Sequence, residues 1–132
     1  MNQEKRKMLE TFLKSGISPL LLEDISSDIF ENAVILESDC DLSLLNGHYE
    51  GTEFVAPEWY EQLITQTNNI PILIIKDINI IPSEEQTKFI ELLKYKKIST
   101  FDLPQNCIII VTCQNLKENK INEEVYSLMA QI

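Results

Sequence analysis

Apolar residues along this chain fall into two patterns, short unbroken runs and stripes at helical spacing. Met8, Leu9, Phe12 and Leu13 form the first stripe, and Gly16 follows as a stop, predicting a helix over 4–14. Pro19 then introduces Leu20, Leu21 and Leu22, a short strand, and the apolar stretch 33–36 predicts a second, buried strand. Between the two, Asp24 is placed to cap a brief helical segment reaching Glu31. Gly47 and Gly51, with aromatic residues around them, predict a small hairpin or irregular loop over 47–55. Pro57 suits the first turn of a helix running to about Thr67, with Trp59 and Leu63, and Tyr60 and Ile64, as i,i+4 pairs on its core face. The apolar run 70–75 predicts a buried strand, and Ser83 with Gln86 is a capping-box pattern opening a helix that turns Phe89, Ile90, Leu92 and Leu93 inward. Beyond Pro104, residues 107–112 predict another buried strand, and a last helix from about Asn122 presents Val125, Leu128, Met129 and Ile132 on one side.

Unbroken apolar strands alternating with helices, without period-two patterning, point to a three-layer α/β fold with a mainly parallel sheet and flanking helices. The length of 132 residues suits one domain with a real core. The longest apolar run, 70–75, is far short of the ~20 residues that span a bilayer. The basic stretch 1–7 leads into apolar positions interrupted by Glu10, Thr11 and Lys14, which is no signal-peptide pattern. A cytoplasmic protein without a membrane partner is expected. Cys40, Cys107 and Cys113 are odd in number, lie among apolar neighbours and lack CxxC spacing, which predicts reduced structural thiols.

Charge narrows the picture further. The formal net charge is −10, and residues 1–66 carry thirteen acidic groups against four basic ones. No Lys or Arg occurs between Lys14 and Lys76, an interval holding eleven carboxylates from Glu23 to Glu61. Such a surface repels phosphate backbones, so nucleic-acid binding is not expected and a partner with a basic surface is.

Residues 72–115 resemble the central part of AAA+ ATPases of the MoxR type, and the likeness extends from about Leu20 to Asn115. It is carried by Lys76-Asp77-Ile78-Asn79 after an apolar strand, Pro82, Gln86, Leu92-Leu93, Leu103-Pro104 and Asn115 closing a second apolar strand. Asp41-Leu42-Ser43-Leu44-Leu45 and Ala56-Pro57-Glu58-Trp59 also resemble upstream segments of some members. The resemblance implies a truncated core of the P-loop NTPase type, with the strand at 70–75 parallel to and beside that at 107–112.

Nucleotide chemistry in that family needs the cradle GxxxxGK[ST], whose backbone N–H groups hold phosphates that a Lys neutralises. Its place is taken by EDISSDIFEN, residues 23–32, which has neither Gly nor Lys and has four carboxylates. The Asp that supports Mg²⁺ and the Glu that positions water are replaced by Lys76 and Asp77, a degenerate Walker B, and a Lys cannot ligate the cation. Lys76 is expected to pair with Asp77 or another carboxylate. Asn115 stands at a sensor-like position with no phosphate to sense, and reads better as a strand-end Asn capping a turn. No lid follows Ile132 and no Arg follows Arg6 in this sequence, so a single AAA+-like domain over 1–132 without P-loop, lid or arginine finger is expected.

Other constellations are weaker. Asp39, Asp41, Ser43 and Glu50 match EF-hand loop positions, yet Leu44 stands where Gly is needed, so a solvated acidic loop is the expectation. Cys40 and His48, the only histidine, lack an orienting third group. Trp59 reads as a core residue before it reads as an interface anchor. Lys94, Lys96 and Lys97 fit compensation of a helix dipole. The expectation is a non-catalytic, AAA+-like protein-interaction or regulatory module without cofactor or metal, monomeric or weakly dimeric alone. Its candidate surface is the acidic rim Glu23, Asp24, Asp28 and Glu31, with the loop residues His48, Tyr49 and Phe54. The alternatives are a residual subunit of a heteromeric AAA+ ATPase and an acidic nucleic-acid mimic.

Overall fold

The computed structural model describes residues 3–16, 18–25, 30, 32–66 and 70–131. Its centre is a five-stranded sheet of β1 (Leu20–Glu23), β2 (Val34–Glu37), β5 (Ile72–Lys76), β8 (Ile108–Cys113) and β9 (Ala130–Gln131), in the order β2-β5-β8-β1-β9. Every pairing in it is parallel. The expected neighbours meet in register, with Ile72 opposite Ile108 and Ile75 opposite Val111. Strand β8 is buried at every position, as a central parallel strand covered on both faces must be.

Alternate residues divide the core into two. On one face Leu21, Leu36, Leu73, Ile75, Ile109 and Val111 pack under α3 (Glu58–Ile64), the helical segment 83–95 and α6 (Glu123–Ser127). On the other, Leu20, Leu22, Ile74, Ile108 and Ile110 pack under α1 (Gln3–Ser15), which contributes Leu9, Phe12 and Leu13 while Met8 is exposed. Helix, sheet and helix make the three layers. Two antiparallel hairpins flank them, β3 (His48–Glu50) with β4 (Glu53–Val55), and β6 (Lys97–Ile98) with β7 (Phe101–Asp102). Among the described residues no helix is long and apolar enough to cross a membrane.

Several expectations are corrected. The last helix ends at Ser127, and the chain turns into β9, whose Ala130 N–H donates to the Pro19 carbonyl at 2.9 Å. Open backbone groups on β1 thus outweigh the helical spacing of Leu128 and Met129. The helix opened by Pro57 ends at Ile64, which is exposed and outside the core. Ile70 is likewise exposed, and its strand begins only after Pro71. The segment opening at Ser83 comprises α4 (Ser83–Gln86), a 3-10 turn (Thr87–Phe89) and α5 (Ile90–Tyr95). Its N-cap is Pro82 without a side-chain bond, so Ser83 and Gln86 form no capping box. Gln86 is fully buried instead, donating to the Ile81 and Lys120 carbonyls and accepting from the Asn122 N–H at 2.7 Å. It ties the start of this helix to the start of α6. Most of the helical segment expected after Asp24 lies outside the described residues.

Candidate functional site

The carboxyl ends of parallel strands are where an open α/β sheet offers a crevice to ligands. Here β1, β5 and β8 are each followed within two residues by one with left-handed backbone, Asp24 (φ 55°), Asp77 (φ 53°) and Asn115 (φ 49°). Asp and Asn tolerate this conformation better than other side chains. The turns they make bring the strand ends together. The Asp24 N–H donates to the Cys113 carbonyl at 2.8 Å, and the Asp24 carboxylate accepts from the Asn115 N–H at 3.2 Å. Beside it the Glu23 carboxylate accepts from the Leu116 N–H at 3.0 Å.

Between β5 and β8, Asp77 N–H donates to the Thr112 hydroxyl at 2.9 Å, and the Gln114 amide donates to the Asp77 carboxylate at 3.2 Å. Buried Asn79 closes the network, donating to the Gln114 and Asn119 carbonyls and accepting from the Gln114 N–H. Ser38, fully buried after β2, donates its hydroxyl to the Asp77 carbonyl at 2.7 Å. Burial, reinforced by Glu23, Asp24 and Asp77 nearby, pushes the Cys113 thiol up to about 11. This edge is a set of carboxylates and amides bonded to the chain's own backbone.

Lys76 and Asp77, adjacent in sequence, take different partners. Lys76 pairs with Glu37 on the neighbouring strand at 3.6 Å, while Asp77 faces Gln114 and Thr112. Asn115 opens a turn, its carbonyl accepting from the N–H groups of Glu118 and Asn119. Of the acidic rim, Glu23 is half-buried and Asp24 exposed, while Asp28 and Glu31 lie outside the described residues.

The loop residues sit on the β3–β4 hairpin. Tyr49 is exposed, and Phe54 is half-buried between Tyr49 and Phe101, stacked on the latter at 5.5 Å between ring centroids. His48 is exposed, its ring 3.3 Å from the Glu50 carboxylate. Trp59 is buried and donates to the Leu45 carbonyl at 3.0 Å, as a core residue would. The Lys96 ammonium donates to the Cys107 carbonyl at 2.6 Å, bridging the end of α5 to the start of β8.

A feature that sequence reading missed lies along the free edge of β2. A cleft of about 720 Å³ opens there, and four carboxylates line it, Glu37, Asp39, Asp41 and Glu58. Its apolar wall includes Ile35, Leu36, Leu44, Pro57 and Trp59, and His48 connects it to the aromatic hairpin. One side is built by α2 (Leu42–Asn46), a helix where an acidic loop is expected. Asp41 is its N-cap, accepting from the Leu44 N–H and the Ser43 hydroxyl at 2.8 Å each, bonds that lower its pKa. The Asp41-Leu42-Ser43-Leu44 spacing was the available signal, since an Asp whose carboxylate can accept from the N–H three residues on is a helix start, and Leu45 one residue later is the core position.

Cys40 lies between this cleft and a smaller hollow of about 490 Å³ against α4, where Lys88 donates to the Cys40 carbonyl at 2.6 Å. Burial raises the Cys40 pKa despite Lys88 nearby. Among the described residues no group of three or more His, Cys, Asp or Glu side chains is arranged to hold a metal ion. Comparison with protein-family models and with curated proteins gives no match for this chain.

Proposed function

We propose that this chain is a non-catalytic, AAA+-like module that has lost nucleotide binding and works by engaging a protein with a basic surface. The observation that carries this reading is the strand-end network, in which Glu23 and Asp24 accept hydrogen bonds from Leu116 and Asn115 beside Asp77. A phosphate cradle needs free backbone donors and a cation. Here amides at the strand ends are taken by carboxylates, and the Lys that stands in the Walker B position pairs with Glu37. The parallel pairing of β5 with β8 supports the resemblance from which the reading starts.

An acidic surface with a net charge of −10 favours basic partners and speeds their encounter. Calorimetric titration with ATP or ADP and Mg²⁺ tests the loss of nucleotide binding, and no saturable heat is expected below about millimolar ligand, the weak end of the affinity scale. Saturable binding at micromolar nucleotide overturns it. Capture of partners from the native cell tests the interaction role, and retained proteins should elute as salt rises. A partner held equally at low and high salt overturns the basic-surface reading.

A further inference from the structure

Resting on that interaction reading, we infer that the free edge of β2 and the acidic cleft beside it dock an extended basic segment of a partner, which joins the sheet as a sixth strand. Strand β2 is the outermost strand on its side of the sheet, paired only with β5 among the described residues. The Ser38 N–H donates to the Lys76 carbonyl, so by the alternation of a parallel ladder Leu36 faces β5 while Ile35 and the N–H of Glu37 face outward. The outward Glu37 carbonyl is taken by the Cys40 N–H at 3.1 Å, which leaves both groups of Ile35 and the Glu37 N–H to a partner strand. An unpaired strand edge is a template for β-augmentation. Folded chains usually blunt such edges with Lys, Pro or a covering element, yet residues 34–37 read Val-Ile-Leu-Glu.

What surrounds the edge selects the occupant. Ile35 and Leu44 remain 44% and 53% exposed, and both line the cleft, so apolar surface is open beside the unpaired backbone. Around it stand Glu37, Asp39, Asp41 and Glu58, with no Lys or Arg among the lining residues. Of the cations close by, Lys76 is held by Glu37, and Lys88 is bonded to the Cys40 carbonyl from the side of the smaller hollow. A segment alternating Lys or Arg with β-branched residues matches both features, since successive side chains of a strand point to opposite faces. A second copy of this chain is a poor occupant, because its β2 edge would bring a second set of these carboxylates to a cleft that already holds four.

The test uses a short fluorescein-labelled peptide of alternating Lys and Val, read by anisotropy and by amide shifts of the full chain. Saturable binding is expected, with the largest shifts at 34–37 and 39–41. The same peptide N-methylated along its backbone keeps its charge but cannot pair with a strand edge, and should bind at least about tenfold more weakly. A Glu37→Gln, Asp39→Asn, Glu58→Gln protein should lose about tenfold toward the unmethylated peptide, with Trp59 emission checking that it is folded. Equal affinity of the two peptides for the unaltered protein overturns the inference, as does the absence of binding. Shifts centred on Glu23, Asp24 and Asn115 overturn the β2 site while leaving the basic-partner reading standing, whereas salt-independent capture of cellular partners removes that reading itself.

Discussion

The carboxylate of Asp24, just after β1, accepts a hydrogen bond of 3.2 Å from the backbone N–H of Asn115, two residues after β8. Both residues hold left-handed backbone, so the bond joins two turns and not two strands. In a sheet whose carboxyl edge serves a phosphate, that position needs a donor facing outward; here donor and acceptor satisfy each other. On the proposed reading, changing Lys76→Asp alone should therefore confer no ATP hydrolysis, since the strand-end donors remain taken. Phosphate release above background from that variant would contradict this.

Gln86 should be the most sensitive polar residue of the core. Gln86→Met is close in shape but leaves the Asn122 N–H and the Ile81 carbonyl without their partner. A loss of about 2–3 kcal/mol is expected, the usual cost of burying such groups unsatisfied. Urea unfolding followed by the emission of buried Trp59 measures it.

The thiols should make stability fall in alkali. Burial pushes both Cys107 and Cys113 up to about 11, from an unfolded value of 9.0. Their neutral forms favour the folded chain fully below the unfolded value, and that contribution drains as pH rises through the folded one. Denaturant midpoints should decline between these limits, and less so in a Cys107→Ala, Cys113→Ala protein compared with its own neutral-pH value. Under native conditions Cys107 and Cys113 should resist alkylation that proceeds readily in urea.

Asp41 has the opposite sign. Its carboxylate is held below the usual range by the Leu44 N–H and the Ser43 hydroxyl. Its stabilisation is complete above the unfolded pKa and disappears as pH falls through the lowered folded one. Asp41→Ala should therefore be less stable than the unaltered chain at neutral pH, with the gap closing in acid. A gap that stays constant down to strongly acidic pH would show that the cap is not what Asp41 supplies.

Gly47, between α2 and β3, has φ +83°, and a Cβ there would collide with the Val55 carbonyl oxygen across the hairpin. Gly47→Ala should cost about 2 kcal/mol or more, from strain and from opening the β3–β4 pairing. Gly51 also has positive φ, at +63°, but nothing lies within 4 Å of its missing Cβ. Gly51→Ala should cost only about 1–2 kcal/mol, the left-handed penalty alone. Thermal melts of the two variants should separate in that order.

Hydrophobic patterning by itself determined the class of this protein and most of its elements. The runs around Leu20, Ile72 and Ile108 read as buried parallel strands because strands covered on both faces carry apolar residues without alternation. That around Val34 read the same way, but at the sheet edge β2 buries only Val34 and Leu36 and leaves Ile35 exposed. The first helix, expected over 4–14, and the one turning Phe89, Ile90, Leu92 and Leu93 inward were legible from their spacing, and Gly47 and Gly51 pointed to a hairpin or irregular loop, which the structure makes a hairpin. Charge along the chain showed an acidic, cation-free interval before anything was known of its shape. Tertiary structure alone decided the rest, because it turns on groups far apart in sequence. Ala130 and Gln131 became a strand only because β1 offered an open edge. Gln86 became a core clamp, and not a helix cap, because Asn122 arrives beside it 36 residues later. Glu23 and Asp24 were visible as acidic residues, but their bonds to Leu116 and Asn115 span more than 90 residues. The cleft along β2 could not be read from any one segment, since strand β2, helix α2, the hairpin and α3 each supply part of its wall. Local propensity is written residue by residue, whereas edges, cavities and shared hydrogen bonds exist only once distant segments have packed.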